Sequence, residues 1–299
     1  MSADKEIESA IIPEIIDGIE VTGIKEKAFS DCKKLNSVVI PNTVTDIGYG
    51  AFYNCYVLSK ITLPKDLKII NSYTFYYCYA LKEIELPAGI TEIGNSAFFN
   101  SGLMNITFPY GLEYIGENAF YENNLSELIL PDSVETVGGR AFSYNNLETI
   151  KLSSRMTKIS MEVFCENKLL KEIDIPDNIE CIEYEAFAAC RLLNRVTFGD
   201  NLKTIKSMAF GACDNLKEIE FPESLEYIGE GAFETCHSLS KAYFNGNAPE
   251  LVKSDNGWIY GGVFDDCSYD FSIYRIEGKE GWDASTWKKY KIKLWEGKN

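Results

Sequence analysis

A single histidine, His237, serves the whole 299-residue chain, so any Ser–His or Cys–His catalysis would have to rest on it. It stands beside Cys236 at a variable position, where an exposed turn residue is expected. Gly-x-Gly-x-x-Gly, a Gly-Lys-Ser/Thr phosphate loop, His-Glu-x-x-His and a calcium loop of alternating acids are all missing. No cofactor or metal is therefore expected. Positive charge is also scarce: 29 Lys and Arg face 45 Asp and Glu, and the formal net charge of −16 repels phosphate backbones and anionic lipid heads. Nucleic acid is excluded as a partner on that ground. No apolar run approaches the roughly 18 residues that span a bilayer, so direct membrane insertion is not expected. The start, Met1-Ser2-Ala3-Asp4-Lys5-Glu6, lacks the basic region and apolar core of an export signal.

What is present is a repeat. A pair of the Ala-Phe type recurs with its Phe at 29, 52, 75, 98, 120, 142, 164, 187, 210 and 233, always 22 or 23 residues apart. Phe264 adds a further copy after an interval of 31 residues, which places an insertion just before it. Around each Phe the same slots return. One unit reads Ile47-Gly48, Ala51-Phe52, Cys55, Leu58, Ile61, Leu63, Pro64. Alternation at period two sends Ile61 and Leu63 inward and predicts a short strand. A lone copy cannot cover its own Ile, Phe and Leu, so successive copies must stack their strands in parallel, about 4.8 Å apart. Pro41, Pro64, Pro87, Pro109, Pro131, Pro176 and Pro222 lack an amide donor and end each strand. Beyond them a second apolar pair, such as Val44 and Ile47, predicts a second short strand, and the Ala-Phe segment is expected to make a helical turn. Gly48, Gly94, Gly116, Gly138 and Gly229 recur at the repeat interval and read as turn glycines.

The Ile-Gly-x-x-Ala-Phe-x-x-Cys-x-x-Leu runs, as in Ile47 to Leu58 and Ile228 to Leu239, resemble the BspA-like leucine-rich repeats of bacterial cell-surface proteins over nearly the whole chain. The fold expected is an α/β leucine-rich-repeat solenoid: a horseshoe with a parallel β-sheet, second short strands and short helical turns, in about 11 repeats of 22–23 residues. Residues 1–245 are expected to form the array. Residues 246–299 are expected to hold the last repeat, an inserted loop and a Trp-rich C-terminal cap, continuous with the same solenoid. All four tryptophans, Trp258, Trp282, Trp287 and Trp295, lie there. At the other end, Ile12-Pro13 and Val21-Thr22-Gly23-Ile24 already follow the repeat, which leaves little room for an N-terminal cap and leads us to expect a longer parent chain or a neighbouring domain.

Nine cysteines in such a chain invite a disulfide or zinc reading, but their register opposes both. Three residues after the repeat Phe stand Cys32, Cys55, Cys78, Ser101, Asn123, Asn145, Asn167, Cys190, Cys213, Cys236 and Cys267. A slot that takes Cys, Ser or Asn wants a small group able to meet a turn's backbone polar atoms. Most thiols are therefore expected to be free. Cys165 and Cys181 fall outside the slot and are the better candidates for a reactive thiol. Paired acids such as Glu83 and Glu85, or Glu218 and Glu220, share a strand face without a lining pocket and read as solvated charge rather than a glycosidase pair.

Two columns point outward from the strands. Two residues after each Leu come Ser37, Lys60, Glu83, Asn105, Glu127, Thr149, Glu172, Arg195, Glu218 and Lys241; four after it come Val39, Thr62, Glu85, Thr107, Ile129, Lys151, Asp174, Thr197, Glu220 and Tyr243. This face mixes charges and suits a protein partner. A second candidate is the aromatic column Tyr53, Tyr76, Phe99 and Tyr121, with Tyr77, Tyr79 and Tyr144 nearby, which is suited to a polysaccharide if the rings are not packed on one another. Trp258 and Tyr260 in the inserted loop are a third. The resemblance implies adhesion at the cell surface or outside the cell, through host or matrix proteins. The expectation is a non-catalytic, non-enzymatic binding module of a bacterial surface or secreted protein, recognising a host, matrix or other surface protein. The alternative is a glycan-targeting or spacer module of a larger extracellular enzyme or scaffold.

Overall fold

The computed structural model describes residues 4–253 and 261–297. They are built almost wholly from short parallel strands and turns, in two compact units: residues 1–147 with 151–155, and residues 148–150 with 156–299.

In the first unit, Ser9–Ile11, Ser37–Val39 and Lys60–Thr62 pair in parallel, with Ser9 opposite Ser37 and Ser37 opposite Lys60. The second apolar pairs form their own ladder, in which Ile69–Ile70, Glu92–Ile93, Tyr114–Ile115 and Thr136–Val137 are consecutive parallel neighbours. Each step in register is one repeat, so both expected strands of a repeat are present. The second unit repeats the plan. Lys158–Ile159, Cys181–Ile182, Thr204–Ile205, Tyr227–Gly229 and Glu250–Val252 make one parallel sheet, and Glu218–Phe221, Lys241–Phe244, Ser272–Arg275 and Lys291–Leu294 another.

Short apolar side chains fill the inside of each coil, and the repeat phenylalanines form its spine. Phe29, Phe52, Phe75, Phe98, Phe120 and Phe142 stack at centroid spacings of 5.2–5.6 Å. Phe164, Phe187, Phe210, Phe233 and Phe264 do the same in the second unit at 5.2–5.5 Å. Burying one such ring contributes about 1.5–3 kcal/mol. At the end of this spine Phe244 meets Trp282 at 4.9 Å and Trp287 at 5.8 Å, and the Trp287 indole N–H donates to the Pro249 carbonyl at 3.2 Å.

The Ala-Phe segment departs from expectation: it is a chain of tight turns. The only α-helix among the described residues is Ser285–Lys288. In the segment around Phe52, alternate amides close turns on the residue three back: Ala51 to Gly48, Tyr53 to Gly50 and Cys55 to Phe52. The amides between them donate to the following coil, Gly50 to Ser72, Phe52 to Thr74 and Asn54 to Tyr76, at 2.8–3.0 Å. Left-handed residues produce this alternation, because a positive φ swings the next N–H out of the helical path. Gly50 and Asn54 have φ of 56° and 61°, and the following coil has Tyr73 and Tyr77 at 60° and 58°.

The recurring glycines also have a different cause from the one expected. Gly48 is not left-handed; a Cβ there would lie 2.5 Å from the Glu26 amide nitrogen of the preceding coil. At Gly138 and Gly229 the corresponding clashes are 2.4 Å with Glu117 N and 2.2 Å with Ser207 N. Close approach of backbones, not turn dihedrals, excludes a side chain. A feature the repeat pattern hides is a hairpin in the first coil, where Ile15–Ile16 pairs antiparallel with Ile19–Glu20 around left-handed Asp17-Gly18. Asp-Gly is a strong signal for such a turn.

The Cys/Ser/Asn slot has a shared task. Cys55 and Cys78 point their thiols at the carbonyls of Phe29 and Phe52, at 3.1 and 3.3 Å; Ser101 donates to Phe75 O at 2.6 Å; Asn123 and Asn145 donate to Phe98 O and Phe120 O at 2.7 and 2.9 Å. In the second unit Cys190, Cys213, Cys236 and Cys267 do the same for Phe164, Phe187, Phe210 and Phe233. Any small donor serves this buried carbonyl, and in several coils the bond is its second, beside a turn amide such as Cys55 N on Phe52 O or Cys78 N on Phe75 O.

Two stability predictions follow from these contacts. Ser101→Ala, which leaves Phe75 O with the Cys78 amide alone, is expected to cost about 0.5–1.5 kcal/mol, whereas Ser101→Cys restores the donor used by its neighbours and recovers most of that loss in urea unfolding. At Gly50 a Cβ meets nothing closer than 3.6 Å, so Gly50→Ala is expected to cost only the left-handed penalty of about 1–2 kcal/mol; Gly48→Ala is expected to cost more than twice as much by the same measurement.

Candidate functional site

The outward strand face differs between the two units. In the first, Lys60 and Glu127 are exposed on strands Lys60–Thr62 and Glu127–Ile129, while Glu83 and Glu85 are exposed on a stretch that forms no regular strand. In the second, four of the anticipated column residues bind one another. Arg195 donates to Glu172 and to Asp174, each at 2.9 Å, and the Thr197 hydroxyl donates to Asp174 at 2.6 Å. The Thr197 hydrogen bond and then Arg195 hold the Asp174 carboxyl below its ordinary range. Glu218 lies in register with Lys241, and Glu220 accepts a hydrogen bond from the Asn245 amide at 3.2 Å. Parallel strands one coil apart bring the i and i+23 residues side by side, so opposite charges in these columns pair across the sheet. A partner would have to compete with those bonds in the second unit but not at Glu83 and Glu85.

The aromatic column is real and continuous. Tyr53 and Tyr76 stack at 4.9 Å, Tyr76 and Phe99 at 4.8 Å, and Phe99 and Tyr121 at 4.8 Å, with interplanar angles of 2°, 21° and 13°. Their faces are therefore spent on each other, and what solvent meets is ring edges. Burial pushes the Tyr53 and Tyr76 phenols up, so both stay protonated donors at neutral pH. The column is one side of a larger tyrosine cluster. Tyr49 and Tyr73 meet at 5.1 Å, Tyr56 and Tyr79 stack at 5.4 Å, and Tyr77 contacts Tyr76, Tyr79 and Phe99. Tyr49 and Tyr79 remain 42% and 43% exposed, and Lys27 and Lys33 reach over the rings of Tyr49 and Tyr56. Two of these tyrosines, Tyr73 and Tyr77, are the left-handed residues of their coil, an unfavourable setting for so bulky a side chain. Sequence reading missed Tyr49, Tyr56 and Tyr73. The run Tyr73 to Tyr79, with five aromatics in seven residues, carried the signal. Trp258 and Tyr260 lie outside the described residues.

The remaining chemistry is sparse. His237 is exposed and its Nδ1 sits 2.8 Å from Asp214, which Arg191 also binds at 2.8 Å, while the thiol of the adjacent Cys236 turns inward to Phe210 O. Neither Glu83 and Glu85 nor Glu218 and Glu220 line the shallow hollow of about 340 Å³ formed by Glu223, Tyr227, Asn247, Glu250 and Lys279 among others, where Lys279 bonds Glu223 at 2.6 Å. Among the described residues no His, Cys, Asp or Glu cluster is arranged to hold a metal ion, and no helix is long and apolar enough to cross a membrane. All nine cysteines are free. Cys165 is buried away from solvent, and burial together with the Glu183 charge pushes the half-buried Cys181 up to about 11, so Cys181 lacks the thiolate a reactive cysteine needs. Burial likewise pushes Cys55 up to about 12. At about pH 8 a thiol reagent is expected to react slowly, if at all, with the native chain and with nine thiols after denaturation; fast native labelling of Cys181 would contradict this.

Comparison with known proteins agrees with this architecture. Three solved structures are similar over most of their length. A leucine-rich repeat protein from Bacteroides ovatus is 25% identical, with 96% of this chain and 92% of that one covered and a TM-score of 0.42. A leucine-rich repeat protein from Eubacterium ventriosum is 22% identical, with coverages of 85% and 88% and a TM-score of 0.51. The pneumococcal vaccine antigen PcpA is 20% identical, with coverages of 99% and 91% and a TM-score of 0.52. No curated protein matches. The profile of the BspA type leucine-rich repeat region matches residues 3–110, 91–199 and 157–255 in six copies, and the chain belongs to that family.

Proposed function

We propose that the chain is a non-catalytic binding module of a bacterial surface or secreted protein, and that it recognises another protein through its repeat surface. The observation that carries this reading is the tyrosine cluster of the first unit. Tyr49, Tyr53, Tyr56, Tyr73, Tyr76, Tyr77 and Tyr79 occupy adjacent coils, in positions where other copies place residues as varied as Ser, Asn, Gly, Glu, Lys and Met. Coil stacking does not require tyrosine there: the slots of Tyr73 and Tyr77 are left-handed in other coils too, where Lys27, Gly50 and Ser96 or Asp31, Asn54 and Asn100 fill them. Rigid tyrosines with apolar bodies and hydroxyl tips supply contact area at little entropic cost, as in protein-binding loops. The exposed acids Glu83 and Glu85, on the outward side of a stretch without regular strand, add a second contact surface. Sugar recognition through the same rings is disfavoured because pyranose stacking needs open ring faces. Surface or secreted localisation rests on the family and on the likeness to a vaccine antigen.

The test is a paired screen of the intact chain against host, matrix and bacterial surface proteins and against a glycan array. Binding to a protein on the panel is expected, with Tyr49→Ser plus Tyr79→Ser weakening it by about tenfold or more, the size of a lost aromatic hot spot. Binding confined to glycans would overturn the reading.

A further inference from the structure

The strand face of the first unit has a gap in its middle. Strand Lys60–Thr62 pairs with Ser37–Val39 on one side, and the next regular strand in the chain is Glu127–Ile129. Two coils lie between, with residues 83–86 and 105–108 in the strand position. Among the described residues no backbone hydrogen bond reaches either segment; the nearest is Met104 N–H to Lys82 O at 2.9 Å. Buried amides and carbonyls are ordinarily paired, so eight successive strand-position residues without a ladder bond are a defined feature. The core beneath is thinner as well. Ile84, Leu86 and Phe108 are 8–9% exposed and Ile61, Leu63 and Ile106 are half-buried, whereas Val38, Ile40, Leu128 and Leu130 of the bonded coils on either side are at most 3% exposed.

The turn side of the same two coils is closed. Tyr73, Phe75 and Tyr77 donate to Asn95, Ala97 and Phe99 at 2.7–3.0 Å, and Ser96, Phe98 and Asn100 donate to Glu117, Ala119 and Tyr121 at 2.8 Å. The second strands also keep register, with Ile69 opposite Glu92 and Glu92 opposite Tyr114. Along these turns runs the aromatic column, and its extent matches the gap. Tyr53, Tyr76, Phe99 and Tyr121 belong to the four coils whose strand positions are 60–62, 83–86, 105–108 and 127–129. In the coil before and the coil after, the same slot holds Ser30 and Ser143. Two sequence changes coincide with the gap. The corner Cys78-Tyr79-Ala80-Leu81 shortens to Ser101-Gly102-Leu103, where Gly102 has φ of 80° and a Cβ would lie 2.3 Å from Tyr79 O. Phe108 replaces the Leu63 and Leu86 of earlier coils and lies edge-on against Phe120 at 5.6 Å and Phe142 at 6.4 Å, in the coils beyond it.

We propose that this gap is a hinge: the coils of residues 83–86 and 105–108 open at the strand face and pivot on the aromatic column, which supplies the cohesion that the absent ladder does not. Stacked rings suit a pivot, because offset rings tilt against one another and stay in contact. Their interplanar angles already differ from step to step, at 2°, 21° and 13°. Bonded turns on one side and unbonded segments on the other place the lowest-energy opening of the unit here. Opening parts Glu83 and Glu85 from Asn105 and Thr107 and uncovers Ile61, Ile84 and Ile106 beneath them, so the spacing of this face adjusts while the flanking strands stay fixed. The hinge stands whether or not the tyrosines meet a partner.

Hydrogen exchange of the full chain, read amide by amide, tests this. Residues 83–86 and 105–108 are expected to exchange about a hundredfold faster or more than Phe75, Tyr77, Phe98 and Asn100 of the same coils. Phe99→Ser removes the ring stacked on both Tyr76 and Tyr121. It is expected to lower the protection of those four turn amides by about tenfold, while Phe29 and Asp31, whose turn lies outside the gap, keep theirs. Phe99→Tyr retains the stack and is expected to match the wild type. Circular dichroism checks folding, and Phe99→Leu, which keeps apolar volume and loses the ring face, decides the matter if Phe99→Ser does not fold. Slow exchange of both strand-position segments would overturn the proposal. So would turn amides unmoved by loss of the ring, or an equal loss of protection at Phe29 and Asp31, which marks general destabilisation and no pivot.

Discussion

Each turn segment sends every second amide to the coil that follows it, as Gly50, Phe52 and Asn54 do to Ser72, Thr74 and Tyr76. That alternation requires two left-handed residues per turn, and it sets a coil spacing at which phenylalanine rings stack at 5.2–5.6 Å in the first unit. The carbonyl of each stacked Phe faces the interior, and the Cys/Ser/Asn slot of the next coil donates to it. The same close spacing removes the side chain at Gly48, whose Cβ would strike the Glu26 amide. Strands on the other side of the coil are short because they need only continue a register that the turns and the core already impose.

A scaffold of this kind places side chains in columns, and columns have energetic consequences for recognition. Opposite charges at the same slot of adjacent coils neutralise each other, as at Arg195, Glu172 and Asp174. Aromatic residues at the same slot stack, as at Tyr53, Tyr76, Phe99 and Tyr121, and lose their faces to one another. Surface free to engage a partner therefore occurs where a column is broken or where a residue exceeds what the slot needs. Glu83 and Glu85 illustrate the first case, and the left-handed Tyr73 and Tyr77 the second.

Sequence reading reached far into the fold because the repeat is a one-dimensional signal. Phe spacing, the alternation of Ile61 and Leu63, and the interchange of Cys, Ser and Asn each report a local environment that recurs, and the structure contains all three. The candidate site was legible as columns but not as contacts. Whether Arg195 would be free or paired depends on the coil before it, and whether a tyrosine offers a face or an edge depends on the ring beside it.

The sequence by itself determined the repeat length, the buried Phe and Leu slots, the breaks at proline and the family, since periodic hydrophobicity dictates which residues must be covered. Only the tertiary structure decided that the Ala-Phe segment is a ladder of turns with left-handed residues and not a helix, that Gly48 is excluded from having a side chain by its neighbour's backbone, and that the single histidine, His237, is held by Asp214 while the Cys236 thiol turns inward. Those features arise between coils, where residues about 23 positions apart become neighbours. No local propensity reports the distance between one coil and the next.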